Sequence, residues 1–151
     1  MQVSYMSCLF LLFSSVVLAQ KGHMGSSCEE AAFEQKLEQL LNFNVPTIGI
    51  HTLKKWMDEE ELLLVDTRSR EEYEISHIPG AKLVPYKVFN QSVFEEIDRN
   101  KRIVVYCSVG YRSEKLGEKL QEAGFSQVFN VYGSIFEWVN AGYPIDNMYG
   151  E

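Results

Sequence analysis

Cysteine, proline and positive charge are all scarce in this chain: 3 Cys, 4 Pro and 14 Lys+Arg against 21 Asp+Glu in 151 residues. Three cysteines exclude a miniprotein held together by disulfides. A net charge of -7 without any Lys/Arg block argues against nucleic acid or an anionic membrane surface as the main partner, because both are bound through clustered positive charge. Long hydrophobic runs are missing as well. The apolar stretch of residues 8–19 (CLFLLFSSVVLA) is too short to span a bilayer, so no membrane span is expected in the mature chain. What is present, 46% hydrophobic and 23% charged residues, is the composition of a packed globular protein, and the length fits one ordinary domain with a short appendage.

The run at residues 8–19 has the length of a signal-peptide core, and Val17-Leu18-Ala19 offers tolerated residues for cleavage after Ala19 or Gln20. Residues 1–20 are therefore read as a signal peptide of an exported, periplasmic or secreted protein, although residues 1–7 carry none of the usual Lys or Arg. Cys28 follows Met24-Gly25-Ser26-Ser27, but that box lacks the Leu of a lipoprotein signal, so a lipid anchor on Cys28 is not expected. The mature chain keeps Cys28 and Cys107; nothing in the sequence requires them to pair.

Residues 21–46 form a polar stretch and an amphipathic arm. Ser27-x-x-Glu30 reads as a capping box, and Phe33, Leu37, Leu40 and Leu41 share one face of a helix over 28–42. From residue 47 the pattern alternates. Short strands are predicted at 48–50, 62–65, 82–85, 103–106 and 127–131. Helices are predicted at 53–58 behind Thr52, after the second capping box Ser69-x-x-Glu72, at 86–97, at 112–123 before Gly124, and from Ser134 to residue 140. Continuous apolar runs such as 62–65 and 103–106 mark strands buried on both faces, and the alternation implies a mostly parallel sheet with helices on both sides.

Parallel sheets bind ligands where strands end at their carboxyl edge. The strand at 103–106 runs into Cys107-Ser108-Val109-Gly110-Tyr111-Arg112-Ser113 and then a helix. Gly110 lets the backbone curl so that successive N–H groups point at one spot, an anion cradle. A thiolate inside it gains from those donors, from the positive end of the helix and from Arg112, so Cys107 is expected to titrate below the free value of about 8.5. The plainer reading, a core cysteine at a strand end, does not account for the Gly and Arg beside it. The strand at 62–65 likewise runs into Asp66-Thr67-Arg68.

These residues resemble a known family. Cys107-Ser108-Val109-Gly110-Tyr111-Arg112-Ser113 is similar to the Cys-x-x-Gly-x-Arg-Ser loop of single-domain rhodaneses. Val65-Asp66-Thr67-Arg68 with Glu71-Glu72-Tyr73 and His77-Ile78-Pro79-Gly80-Ala81 resembles its second signature, and Gly133-Ser134 through Trp138 with Gly142-Tyr143-Pro144 its closing segment. The resemblance departs at Ser134, where a second Gly is usual; Ser there is expected to cap the last helix. It implies a rhodanese domain at 47–147 with the three-layer α/β fold and a five-stranded parallel sheet. It also implies sulfur transfer through a persulfide on Cys107 without metal or organic cofactor. Thiosulfate or a related small anion would be the donor, and cyanide, a small-molecule thiol or a protein thiol the acceptor. Ser108, Val109, Gly110, Tyr111 and Arg112 would hold the donor.

Asp66 and Arg68 are expected to support the loop, Asp66 by positioning Arg112 or by satisfying local backbone donors, with Ser113 in a supporting role. His77 is read as fixing a turn, and Trp56, Tyr132, Phe136 and Trp138 as core or rim aromatics, with Tyr111 at the mouth of the loop. His23, His51 and His77 have no metal-ligand spacing. Two other readings compete: a Cys-dependent phosphatase or arsenate reductase, which would want five residues between Cys and Arg where this chain has four, and a non-enzymatic module that carries a persulfide or docks a partner.

Overall fold

The computed structural model describes residues 23–24, 28, 30–59 and 61–149. The expected leader at 1–20 and the capping residue Ser27 lie outside these. Among the described residues no helix is long and apolar enough to cross a membrane.

Six strands form one all-parallel sheet: β1 His23–Met24, β2 Thr47–Ile48, β3 Leu63–Asp66, β4 Lys82–Leu83, β5 Ile103–Tyr106 and β6 Val128–Val131, in the spatial order β1-β2-β6-β5-β3-β4. The five strands of the expected rhodanese-like sheet are all present. The sixth, β1, adds a short edge from the polar stretch, where two residues carry no periodicity to read. β5 lies at the centre and is buried along its whole length, as its Ile-Val-Val-Tyr run requires.

Helices cover both faces. On one side α2 Ile50–Glu59 and α5 Ser134–Asn140 pack Ile50, Leu53, Ile135 and Trp138 against Ile48, Leu64, Val104 and Tyr106. On the other, α4 Tyr111–Glu122 packs Leu116 and Leu120 on Val65, Ile103 and Val105. Alternate residues of each central strand thus feed opposite cores, the period of two expected of a pleated strand. The short helix α3 Arg70–Ile75 starts at the predicted capping box, with Ser69 Oγ accepting from Glu72 N and Glu72 Oε2 accepting from Ser69 N.

Three expectations are corrected. The helix predicted at 86–97 is two separate 3-10 turns, Tyr86–Val88 and Gln91–Phe94. Phe89 and Asn90 are extended between them, and the Asn90 carboxamide accepts from Ser92 N instead of leaving that donor to a helix. The second helix begins at Ile50, so Thr52 lies inside it and residue 50 is not in the strand. The arm helix, α1, runs Ala31–Leu40, shorter than 28–42, and Glu30 at its start caps nothing with its side chain. It buries Leu37, with Leu41 just beyond, and leaves Leu40 half exposed.

α1 ends where a buried carboxylate takes the chain over. Glu114, 1% exposed on α4, accepts Asn42 N and Asn44 N at 3.0 Å each. Replacing Glu114 by Ala would strand both N–H groups. Such a loss costs about 2 kcal/mol, and we expect a urea unfolding midpoint lowered to match, with earlier proteolysis of the arm. An unchanged midpoint would mean that apolar packing alone docks it.

Candidate active site

β5 ends in a polar turn, and Cys107 is its first residue, 1% exposed. From there the chain curls back through Ser108, Val109 and Gly110 into α4. Gly110 has φ +117, a value open to glycine and strained for other residues, and its N–H donates to Cys107 Sγ at 3.1 Å. Burial alone would raise the Cys107 thiol. Donors from Ser113, Gly110 and Val109 outweigh it, and the net shift is downward from 9.0. Ser113 contributes through its backbone N–H and its hydroxyl, whose single proton also has Gly110 O at 3.1 Å and Asn130 Oδ1 at 2.7 Å within reach.

Two buried polar side chains hold this curl. Asn130, on β6 beside β5, donates from Nδ2 to Gly110 O at 3.0 Å while its Oδ1 accepts from Ser113. Ser134 accepts the Cys107 N–H at 3.2 Å and donates to Val131 O at 3.0 Å, tying the start of the loop to the end of β6. Ser134 therefore does not cap α5, contrary to expectation: Gly133 occupies the cap position, and the hydroxyl bonds the Cys107 N–H instead. Its φ is +52, in the left-handed region where a second Gly would sit without strain.

Arg112 is held by Glu72. Its Nη1 donates to Oε2 at 2.7 Å and its Nη2 to Oε1 at 2.8 Å, with a third bond from Nη2 to Ser108 Oγ at 2.8 Å. The Arg112 hydrogen bonds bring the Glu72 carboxyl down to about 2; burial opposes them, and Ser69 and Ser108 assist. Asp66 does not reach Arg112. It is fully buried and takes Arg68 in a fork, Nε at 3.0 Å and Nη2 at 2.6 Å, while Arg68 Nη2 also donates to Ser76 O. The aspartate thus serves the alternative of local satisfaction, including Arg68 N at 2.9 Å. Thr67, Arg68, Ser69, Glu72, Tyr86, Lys87 and Arg112 surround a cavity of about 260 Å³ beside the loop.

The structure places Cys107, Ser108, Val109, Gly110, Arg112 and Ser113 in one curl after β5, with Tyr111 43% exposed at the rim. The sequence reading misses Glu72, Asn130 and Lys87. Glu72 stands in the sequence as a capping residue and within the second signature, and Asn130 as a polar interruption in an apolar strand. Cys28 is buried and free, as is Cys107. It sits with Leu37, Leu41 and Tyr132, its thiol pushed up to about 12 by burial and by Glu137 and Glu34. His77 fixes a turn as expected, its Nδ1 2.8 Å from Tyr73 O and its ring stacked on Tyr73. Among the described residues there is no cluster of three His, Cys, Asp or Glu able to hold a metal.

The rhodanese-like domain model matches residues 50–141, so the chain belongs to the rhodanese-like domain family. A protein of Mycobacterium tuberculosis named for adenylyltransferase and sulfurtransferase activity is 32% identical over 105 residues, 68% of this chain and 27% of that protein. A tRNA uridine(34) hydroxylase of Yersinia enterocolitica is 34% identical over 64% of this chain and 30% of its own length. The chain spans about a quarter to a half of the curated relatives it matches. Among solved structures, a rhodanese-like domain from Anabaena superposes with TM-score 0.63 at 25% identity over 68% of this chain and 80% of that one. A thiosulfate sulfurtransferase from Pseudomonas aeruginosa gives 0.61 at 26%, over 69% and 20%.

Ser134→Gly would relieve a left-handed backbone, worth about 1 kcal/mol, while losing two hydrogen bonds of similar total weight. Stability should hardly change, whereas alkylation of Cys107 by iodoacetamide should shift its midpoint to higher pH; an unaltered profile would show that the tie does not position the thiol. The Glu72 pair has its own pH signature. Because the folded carboxyl lies near 2 and the ordinary one at 4.5, its contribution is complete above 4.5 and lost as pH falls toward 2. Glu72→Gln should flatten the acid limb of the stability curve over that range, and an acid limb of unchanged slope would contradict the pairing.

Proposed function

We propose that this rhodanese-like chain is a sulfurtransferase that takes a sulfane sulfur from thiosulfate or a related oxyanion onto Cys107 and passes it to a thiol or cyanide. The observation that carries the reading is the placement of the Cys107 thiol at the end of a buried strand, ringed by backbone N–H donors that favour the thiolate. The family membership and the relatives named as sulfurtransferases support the chemistry; the choice of thiosulfate is our own step.

The thiolate attacks the outer sulfur of the donor. A new S–S bond forms to Cys107, the donor's own S–S bond breaks, and sulfite leaves with its electron pair. The terminal sulfur of the resulting persulfide is itself an anion, and the N–H ring that held the thiolate is placed to hold it. The donor's oxygens fit the small cavity beside the loop, where Lys87 is a cation without an ion-pair partner among the described residues and Arg112 presents a charge already shared with Glu72. A second nucleophile then takes the outer sulfur and returns the thiolate. The apolar run at residues 8–19 supports a further proposal, export of the chain, which N-terminal sequencing of the protein from its own host would test.

Intact-mass measurement before and after thiosulfate should show one added sulfur, mapped to Cys107 and removed by cyanide with release of thiocyanate. Cys107→Ser should abolish that gain with the fold intact. Arg112→Ala should slow oxyanion donors by at least about tenfold and a neutral polysulfide donor far less. Persistent turnover in the Ser variant would defeat the mechanism.

A further inference from the structure

We propose that Leu41, at the end of the arm, is a positioning residue of the candidate site: it backs Gly110 and keeps the N–H of that glycine aimed at the Cys107 sulfur. The inference concerns the reactivity of Cys107, and it rests on the sulfurtransferase reading only for its consequence in turnover.

The loop is held unevenly. Three donors fix the carbonyl of Gly110: Asn130 Nδ2 at 3.0 Å, Glu114 N at 3.0 Å and Ser113 Oγ at 3.1 Å. That carbonyl belongs to the rigid peptide unit between Gly110 and Tyr111. The N–H on the sulfur belongs to the unit before it, between Val109 and Gly110. The two units meet at a residue with no Cβ to restrict their relative rotation, so fixing one does not fix the other.

Packing on the arm holds the second unit. A Cβ on Gly110 would lie 3.5 Å from both methyl carbons of Leu41, so these methyls wall off the open side of the glycine, with Asn130 Nδ2 3.6 Å from the same point. Val109, at the other end of the unit, packs on the cluster of Cys28, Leu37, Leu41 and Tyr132. Both ends of the peptide that carries the N–H thus rest against a cluster to which Leu41 belongs.

Leu41 is itself set in register with the loop. Just beyond it, Asn42 N and Asn44 N both donate to the buried Glu114 carboxylate. Phe43 between them has φ +56, a left-handed value unfavourable for a residue with a Cβ. That turn aims two N–H groups at one carboxylate, which offsets its strain. The backbone N–H of the same Glu114 donates to Gly110 O, so one turn of α4 locates both the loop and the arm. Further along, a Cβ on Gly117 would stand 3.0 and 3.2 Å from the Val45 methyl carbons, so a glycine is needed for the arm to lie this close to α4. Leu41 and Val45 precede residue 50, where the family match begins, and this wall is therefore built from outside the matched stretch.

The test uses the full chain and the pH dependence of iodoacetamide alkylation, with the adduct mapped to Cys107. Leu41→Ala opens space behind Gly110, and a donor that leaves the sulfur favours the thiolate less. The alkylation midpoint should rise by about half a pH unit or more, with a rate below the midpoint lowered about threefold. Leu41→Val should shift it in the same direction by less, and carries the test if the Ala variant does not fold. Leu41→Met, close in volume, should keep the original profile. Leu37→Ala is the control, in the same cluster but one turn back, about 6 Å along the helix axis. It should lower the urea midpoint as Leu41→Ala does and leave the alkylation profile in place. Unchanged profiles in both truncated Leu41 variants, or an equal shift in Leu37→Ala, would overturn the proposal. A shifted profile in a chain whose Cys107 takes no sulfur from thiosulfate would retain the role of Leu41 and remove the sulfurtransferase reading.

Discussion

One carboxylate, Glu72, joins the three pieces from which the candidate site is assembled. It accepts the Ser69 N–H and so closes the start of α3. It grips Arg112 with both oxygens and so fixes the first turn of α4, and it meets Ser108 at the tip of the loop. A loop alone would lose about 1 kcal/mol or more of backbone entropy per residue on ordering. Tying both of its ends to a helix that is itself capped by the same group supplies an enthalpic counterweight in one place. The strength comes from charge: a bidentate guanidinium–carboxylate pair, part-buried and with its remaining lone pairs used, is among the stronger side-chain contacts.

The floor of the site depends on a different device. Asn130 and Ser134 are polar groups on or after the buried strand β6, and each reaches across to the loop following β5. Such groups are costly inside a sheet unless every donor and acceptor is matched. Here they are matched by the loop's own backbone, Gly110 O for the amide and Cys107 N for the hydroxyl. The fold thereby converts a burial penalty into position. Ser134 keeps a left-handed backbone that glycine would adopt freely, and a strained residue bonded to the Cys107 N–H is the pattern expected where strain is retained for function.

Much of this was legible in the chain because it is local. The strands at 63–66, 103–106 and 128–131 announce themselves by continuous apolar runs, and the Cys107–Ser113 loop by the order of a thiol, a glycine and an arginine before a helix. The Ser69–Glu72 box gave α3. Pairings between distant segments were not legible. The sequence suggests Asp66 as the acidic neighbour of Arg112, and only the fold decides that Asp66 turns to Arg68 while Glu72 faces the loop. The stretch 86–97 misled for a related reason: its apolar spacing suits a helix, but Asn90 satisfies Ser92 N locally and the chain extends at Phe89 and Asn90. β1 had no signal to give, since two residues define no period.

The two buried cysteines show how far environment, rather than residue type, sets chemistry. Both are nearly inaccessible and both are free. Cys28 lies in an apolar cluster near Glu137 and Glu34, where a negative sulfur would meet negative charge, and its proton is held to about 12. Cys107 is more deeply buried still, yet donors converge on it and its thiol is shifted downward from 9.0. Burial acts on both in the same direction, so the difference comes from the carboxylates beside Cys28 and from the donors that the curl at Gly110 aims at Cys107. The same curl needs Asn130 and Ser113 to hold it and Glu72 to anchor its exit through Arg112. Reactivity at Cys107 is in that sense a property of contacts among four separate segments, brought together by a parallel sheet whose carboxyl ends share one edge.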